Sequence, residues 1–264
     1  MDILQEILSY KKTEVERNRA LFPVKLLEQS MYFKTPCVSL RSYLNRPDLV
    51  GVIAEIKRKS PSRGALNPYI SVDQLSVGYM QAGASALSVL TDVKYFGGTG
   101  EDLKTVRRFN FCPILRKDFI VDEYQIVEAK SLGADVVLLI AAALSHQQVR
   151  LFSGVARALG LEVMLEVRSA AELDMCANAE IDFVGVNHRN LADLTIDTDR
   201  ALQLADKIPP HLVKIAESGI SDPARVRQLK EAGFKGFLIG EHFMQHEKPE
   251  LACKRFIQNV IGAV

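Results

Sequence analysis

From residue 51 onward the chain alternates apolar blocks with polar, amphipathic stretches. The apolar blocks are VGVIAEI, ASALSVL, CPILR, ADVVLLI, LEVMLEV, IDFVGVN, HLVKIAE and KGFLIG, starting near residues 51, 84, 112, 134, 161, 181, 211 and 235. They are near-continuous in Val, Ile and Leu, as strands of a parallel sheet covered on both faces are. Between them lie helix signals. Ser71 with Gln74, Asp122 with Gln125, Ser145 with Gln148, and Ser169 with Glu172 have the spacing of capping boxes. Asp222-Pro223 places a cap residue before a proline suited to the first helical turn. Gly83, Gly133, Gly160 and Gly233 stand where a helix should end and the next strand begin. Eight such units, spaced by roughly 20 to 33 residues, predict an α/β fold, the (β/α)8 TIM barrel. A doubly wound open sheet shares this strand–helix grammar, but eight evenly spaced units favour closure.

Residues 1–50 precede the first block and are punctuated by Pro23, Pro36 and Pro47, each of which interrupts a helix. The pattern predicts two or three helical segments there, the first with Ile3, Leu4, Ile7 and Leu8 on one face. No flexible linker follows. The expected organisation is one domain over 1–264: a helical N-terminal extension (1–50) packed on a barrel (51–264).

Composition narrows the function. The chain has 264 residues, and 33 Lys and Arg offset 32 Asp and Glu for a net charge of +1. That argues against a general nucleic-acid partner but leaves room for a small anionic ligand in a locally basic site. No run of about 18 apolar residues offers a membrane span, and the charged N-terminus lacks the apolar core of a secretory leader. Cys37, Cys112, Cys176 and Cys253 are scattered, which fits reduced thiols and a cytoplasmic location.

In such barrels chemistry sits at the C-terminal ends of the strands. Here those ends carry Glu55 and Lys57, Lys117, Glu166, Asn187 and Glu217. Glu55 and Lys57, two apart, point to one face of their strand. A lone charged pair would read as a structural salt bridge; six ionisable or amide groups at one mouth favour catalysis. The short turns Ser218-Gly219 and Gly240-Glu241, after the last two blocks, suit phosphate. There Gly219 and Gly240 would let backbone N–H groups approach the anion. The Glu241 carboxylate is expected to point away, and Ser60 is a further donor. His242 and His246 are four apart, yet no HExxH motif accompanies them, so no metal site is expected.

These segments resemble the indole-3-glycerol-phosphate synthase family of tryptophan biosynthesis. The resemblance runs through Glu55-Ile-Lys57-Arg-Lys-Ser60-Pro61-Ser62, Leu115–Phe119, Leu165-Glu166-Val167, Gly185–Leu191, Ala216–Ile220 and Leu238-Ile239-Gly240. It implies a lyase that closes an indole ring on 1-(2-carboxyphenylamino)-1-deoxyribulose 5-phosphate with loss of carbon dioxide and water, without a metal or organic cofactor. It further implies Lys117 as proton donor to the developing oxyanion, and Lys57 and Glu166 as acid and base for dehydration. Glu55 would orient a lysine. Asn187, Glu217 and Ser218 would hold the ring and sugar hydroxyls, and Lys57 or Arg189 would counter the substrate carboxylate. Burial at the barrel mouth is expected to lower the Lys117 pKa. His188, and Glu241-His242-Phe243, depart from the small polar residues expected at those places. A monomer without a fused isomerase barrel is expected. Rival readings are another phosphate-binding barrel, such as a sugar-phosphate isomerase, or a non-catalytic ligand sensor; neither requires Lys57, Lys117 and Glu166 together.

Overall fold

The computed structural model describes residues 3–190 and 195–262. Eight parallel strands close into a barrel: β1 (Val52–Ile56), β2 (Ala86–Leu90), β3 (Ile114–Lys117), β4 (Val136–Ile140), β5 (Glu162–Val167), β6 (Phe183–Asn187), β7 (Val213–Glu217) and β8 (Phe234–Ile239). Each of the eight apolar blocks supplies one strand. Consecutive strands pair in order, and β8 returns to β1 with Phe237 beside Val52 and Leu238 beside Ile53.

Two layers of apolar packing follow from strands buried on both faces. The outer layer lies between strands and helices and includes Val52, Ala54, Val89, Val137 and Phe237. The inner layer fills the barrel with Ile53, Leu115, Leu138, Met164, Phe183 and Ile215.

The extension folds as α1 (Ile3–Leu21), α2 (Val24–Leu27) and α3 (Leu40–Leu44), with Pro23 and Pro36 in the breaks between helices. Leu4, Ile7 and Leu8 of α1 and Leu40 and Leu44 of α3 join the inner cluster of the barrel. The two helices therefore pack at opposite ends. α3 meets the strand starts, where Glu162 accepts from Ser39 Oγ (2.7 Å) and from the Leu40 N–H (2.6 Å). α1 meets the strand C-termini. Its Lys11, fully buried, reaches Asp92 and Asp118, each at 2.9 Å, beyond β2 and β3.

The helix signals fare unequally. Ser145 and Gln148 form a full capping box, and Asp222 caps the helix that Pro223 opens. Ser169 accepts from the Glu172 N–H, but Glu172 turns its carboxylate to the Arg168 N–H. Ser71 makes no cap, because its hydroxyl is drawn to the Asp73 carboxylate. Asp122 lies one residue before the N-cap position and accepts from the Tyr124 N–H instead. The box formed by Thr99 and Asp102 is an addition to the expected set. Gly83, Gly133, Gly160 and Gly233 all have positive φ, between 75° and 96°, the left-handed conformation that stops a helix.

Candidate active site

A cavity of about 410 Å³ opens at the C-terminal ends of the strands. All twelve anticipated residues line it: Glu55, Lys57, Ser60, Lys117, Glu166, Asn187, Arg189, Glu217, Ser218, Gly219, Gly240 and Glu241. Leu191, the last residue of one motif, lies outside the described residues. The cavity also has an apolar side: Leu138, Ile140, Phe96 and Phe119, joined by Ile3, Leu4 and Ile7 from the apolar face that the sequence predicts for the first helix, expected to roof the aromatic end of the substrate. The rings of Phe96 and Phe119 lie 5.9 Å apart. Such a wall receives an aromatic ring by removing apolar surface from water.

The polar floor carries two ion groups. Lys117, at the end of β3, lies 2.9 Å from Glu166 of β5 and 3.2 Å from Glu217 of β7. Asn187 Nδ2 donates to the other Glu166 oxygen at 3.0 Å, and the parallel register sets Asn187 beside Glu217. Lys57 is 2.8 Å from Glu55. Strand ends on alternate sides of a closed barrel converge, which is why residues far apart in sequence meet here.

Two glycines, Gly185 within β6 and Gly240 just past β8, make room for these carboxylates. A Cβ at Gly185 would stand 2.2 Å from Glu217 Oε1, and one at Gly240 would stand 2.4 Å from Glu55 Oε1. A glycine inside an otherwise branched strand, as at Gly185, is a signal of such close approach. Gly240 was assigned to phosphate alone; its contact with Glu55 means that any side chain there also displaces the carboxylate. At Gly219 backbone conformation matters instead, since φ is +67°, and Ser218 before it adopts the same φ.

Two expectations are corrected. Glu241 does not point away from the mouth. Its carboxylate accepts from Arg63 at 2.9 Å and from Arg189 at 3.1 Å, since two guanidinium groups outcompete water for it. Arg189 is thus held by Glu241 and does not stand as an unengaged counter-charge. The segment after β1 also folds into a small antiparallel pair, Lys59–Ser60 with Gly64–Ala65, which places Ser60 Oγ 3.2 Å from Ser62 Oγ.

The second correction concerns Lys117. Burial by itself would lower its pKa, but the carboxylates of Glu166, Glu217 and Glu55 outweigh burial and hold it above the usual lysine value. Glu217 shifts in the opposite sense for a carboxylate. Burial raises it, Lys117 only partly offsets this, and neighbouring Glu166 adds repulsion, so that it is pushed up to about 7. Its Oε1 has no hydrogen-bond partner among the described residues.

This predicts a pH-dependent stability. Glu217 is more easily protonated folded than unfolded, so its favourable contribution is complete below the unfolded pKa and is lost as pH rises toward 7. A shift from 4.5 to about 7 corresponds to about 3 kcal/mol. Glu217→Gln, permanently uncharged, should match the wild type near pH 4, gain relative stability between pH ~4.5 and ~7, and hold the gain above. Urea denaturation at pH 4, 6 and 8 measures this; a pH-independent difference between the two proteins contradicts it.

Comparisons with known proteins point to one family. A family model described as "Indole-3-glycerol phosphate synthase" matches residues 4–256. The chain is 43% identical over 259 residues to the indole-3-glycerol phosphate synthase of Bacteroides thetaiotaomicron, covering 98% of this chain and 99% of that one. It is 40% identical to the synthase of Laribacter hongkongensis, covering 95% of this chain and 97% of the relative. Among solved structures, a chain from the tryptophan synthase α2β2 complex of Pyrococcus furiosus superposes with a TM-score of 0.61 at 15% identity, covering 81% of this chain and 99% of the other. That likeness carries the barrel fold alone. Matched along nearly its whole length by the family model and by relatives of this identity, the chain belongs to the indole-3-glycerol phosphate synthase family.

Proposed function

We propose that this chain converts 1-(2-carboxyphenylamino)-1-deoxyribulose 5-phosphate to indole-3-glycerol phosphate, carbon dioxide and water. The observation that carries the reading is the juxtaposition of a protonated Lys117, held by Glu166 and Glu217, with an apolar wall closed by α1. The anthranilate ring packs against that wall. The ring carbon bearing the carboxylate attacks the C2′ carbonyl, and Lys117 protonates the oxygen as negative charge develops. Carbon dioxide then leaves, its bonding electrons restoring the aromatic ring, while Lys57 counters the carboxylate until that step. Dehydration removes the C2′ hydroxyl as water, with Lys57 and Glu166 as acid and base. Glu55 orients Lys57 at 2.8 Å, and Asn187, Glu217 and Ser218 hold the ring and sugar hydroxyls. The phosphate is received by the turns at Gly219 and Gly240, with Ser60 nearby.

The reading takes the enzyme as a monomer acting on a small phosphorylated molecule, with no metal or organic cofactor in any step. The N-terminal extension and the barrel act as one domain, because α1 forms part of the cavity wall. A cytoplasmic location is in keeping with four free cysteines; among the described residues no helix is long and apolar enough to cross a membrane. The test is incubation with the substrate while indole fluorescence and carbon dioxide release are followed. Both signals should rise together, and inorganic phosphate should compete. An isomerase would consume the sugar phosphate without releasing carbon dioxide, and a sensor would bind it unchanged.

A further inference from the structure

We propose that His188 is a positioning residue for the Ser218–Gly219 turn, a fixed Nδ1–H donor whose bond to the Ser218 carbonyl holds that turn in its substrate-binding conformation. The proposal rests on the reading of that turn as part of the active site.

The ladder between β6 and β7 explains why a side chain is needed there. Backbone pairing continues one residue past β6, with the His188 N–H donating to the Glu217 carbonyl at 3.0 Å. The chain after β6 then turns away, where Asp197 N–H and Arg200 Nη1 both donate to the His188 carbonyl, at 2.9 and 3.1 Å. The pairing ends at Glu217, and Ser218 is the next residue, just past β7. The His188 ring reaches across to that residue: Nδ1 lies 2.8 Å from the Ser218 carbonyl oxygen. A carbonyl only accepts, so Nδ1 carries the proton and Nε2 is left bare. Nε2 is indeed buried without a partner among the described residues, and the whole residue is inaccessible to solvent. Burial, with Arg225 and Arg200 close by, keeps the ring neutral against the opposing pull of the Ser218 carbonyl and Asp197.

What is held is conformationally costly. Ser218 has φ +67°, a region that residues with a side chain rarely adopt, and Gly219 follows at the same φ. This double left-handed turn brings both residues to the cavity wall. Without the Nδ1–H bond the serine has little reason to stay there, and the half-buried carbonyl loses its side-chain donor.

Two substitutions and one spectroscopic measurement test this. In His188→Asn the side-chain amide nitrogen can stand near the imidazole Nδ1 and donate to the same carbonyl. His188→Leu keeps bulk but removes the donor. The Leu variant is expected to bind inorganic phosphate, measured by titration, roughly tenfold more weakly, the scale of one lost hydrogen bond. Its KM should rise in proportion, while the Asn variant stays within about threefold of wild type. Equal behaviour of the two variants, whether both intact or both impaired, overturns the proposal. Histidine ¹⁵N NMR on the wild-type protein needs no folded variant and no substrate: His188 should appear as the neutral Nδ1–H tautomer with a slowly exchanging ring proton. An Nε2–H tautomer, or rapid exchange, overturns it. Wild-type protein that fails to turn over substrate counts against the functional reading, whereas the tautomer and phosphate titrations still decide the role of His188.

Discussion

Lys117→Arg is expected to lower kcat by roughly 10²–10⁴ with KM little changed, the scale of losing a general acid. Arginine preserves the charge that attracts an anionic substrate, but its wide, planar guanidinium spreads that charge and cannot place a single ammonium proton from the position Lys117 holds between Glu166 and Glu217. The raised pKa of Lys117 changes why lysine suits the step. A lysine lowered toward neutrality would be an acid of tuned strength. Here the ring of Glu166, Glu217 and Glu55 keeps the ammonium fully protonated, so the acidic form is always present. Transfer waits for a base stronger than an amine, and the alkoxide formed as the ring closes is such a base. The same carboxylates then favour return of a proton to the amine. Lys117→Ala should be at least as impaired, and in addition leaves Glu166 and Glu217 buried side by side without their cation. Measuring kcat for both variants separates the roles. An arginine variant within about threefold of wild type would remove Lys117 from the acid role and leave Lys57 as the next candidate.

The barrel was legible because its determinants are local. A strand covered on both faces must be apolar at nearly every position, and the runs from VGVIAEI to KGFLIG meet that condition without reference to their neighbours. Closure came from counting. The cavity residues were legible for a related reason: a charged residue directly after an apolar run has few structural uses, so Glu55, Lys117, Glu166 and Glu217 stood out. What was not legible depends on distances across the barrel. The direction of the Lys117 shift is a sum over three carboxylates from three other strands, whereas sequence reading could weigh only burial. Glu241 was misjudged likewise, since Arg63 and Arg189 reach it from two other loops. Ser71 shows the limit at short range: a box spacing is necessary for a cap, but Asp73 two residues on offers its hydroxyl a charged acceptor.

Lys11→Met is expected to destabilise the protein by about 3–5 kcal/mol at neutral pH, the cost of removing one member from a buried ion cluster. Lys11 is among the largest fully buried side chains. It lies 2.8 Å from Glu14 on its own helix and 2.9 Å from both Asp92 and Asp118 on the barrel. Burial alone would raise the Asp118 carboxyl; Lys11 and Arg116 outweigh burial and hold it well below the usual carboxylate range. Methionine fills a similar volume and leaves Arg116, at 3.1 Å, as the remaining cation on Asp118. A carboxyl depressed in the folded state contributes stability above its unfolded pKa of about 3.9 and loses it as pH falls through the folded value. The gap between variant and wild type should therefore be widest above pH ~5 and narrow in acid, as Asp118 gains a proton in both proteins. Function should follow the helix. Lys11 ties down the same α1 whose Ile3, Leu4 and Ile7 wall the cavity, so a variant still folded at 20 °C should show a raised KM before kcat changes. Urea denaturation at pH 4 and 7 measures the first effect and steady-state kinetics the second. A variant within about 1 kcal/mol of wild type at pH 7 would mean that apolar packing alone docks α1, since an exposed pair is worth about that much.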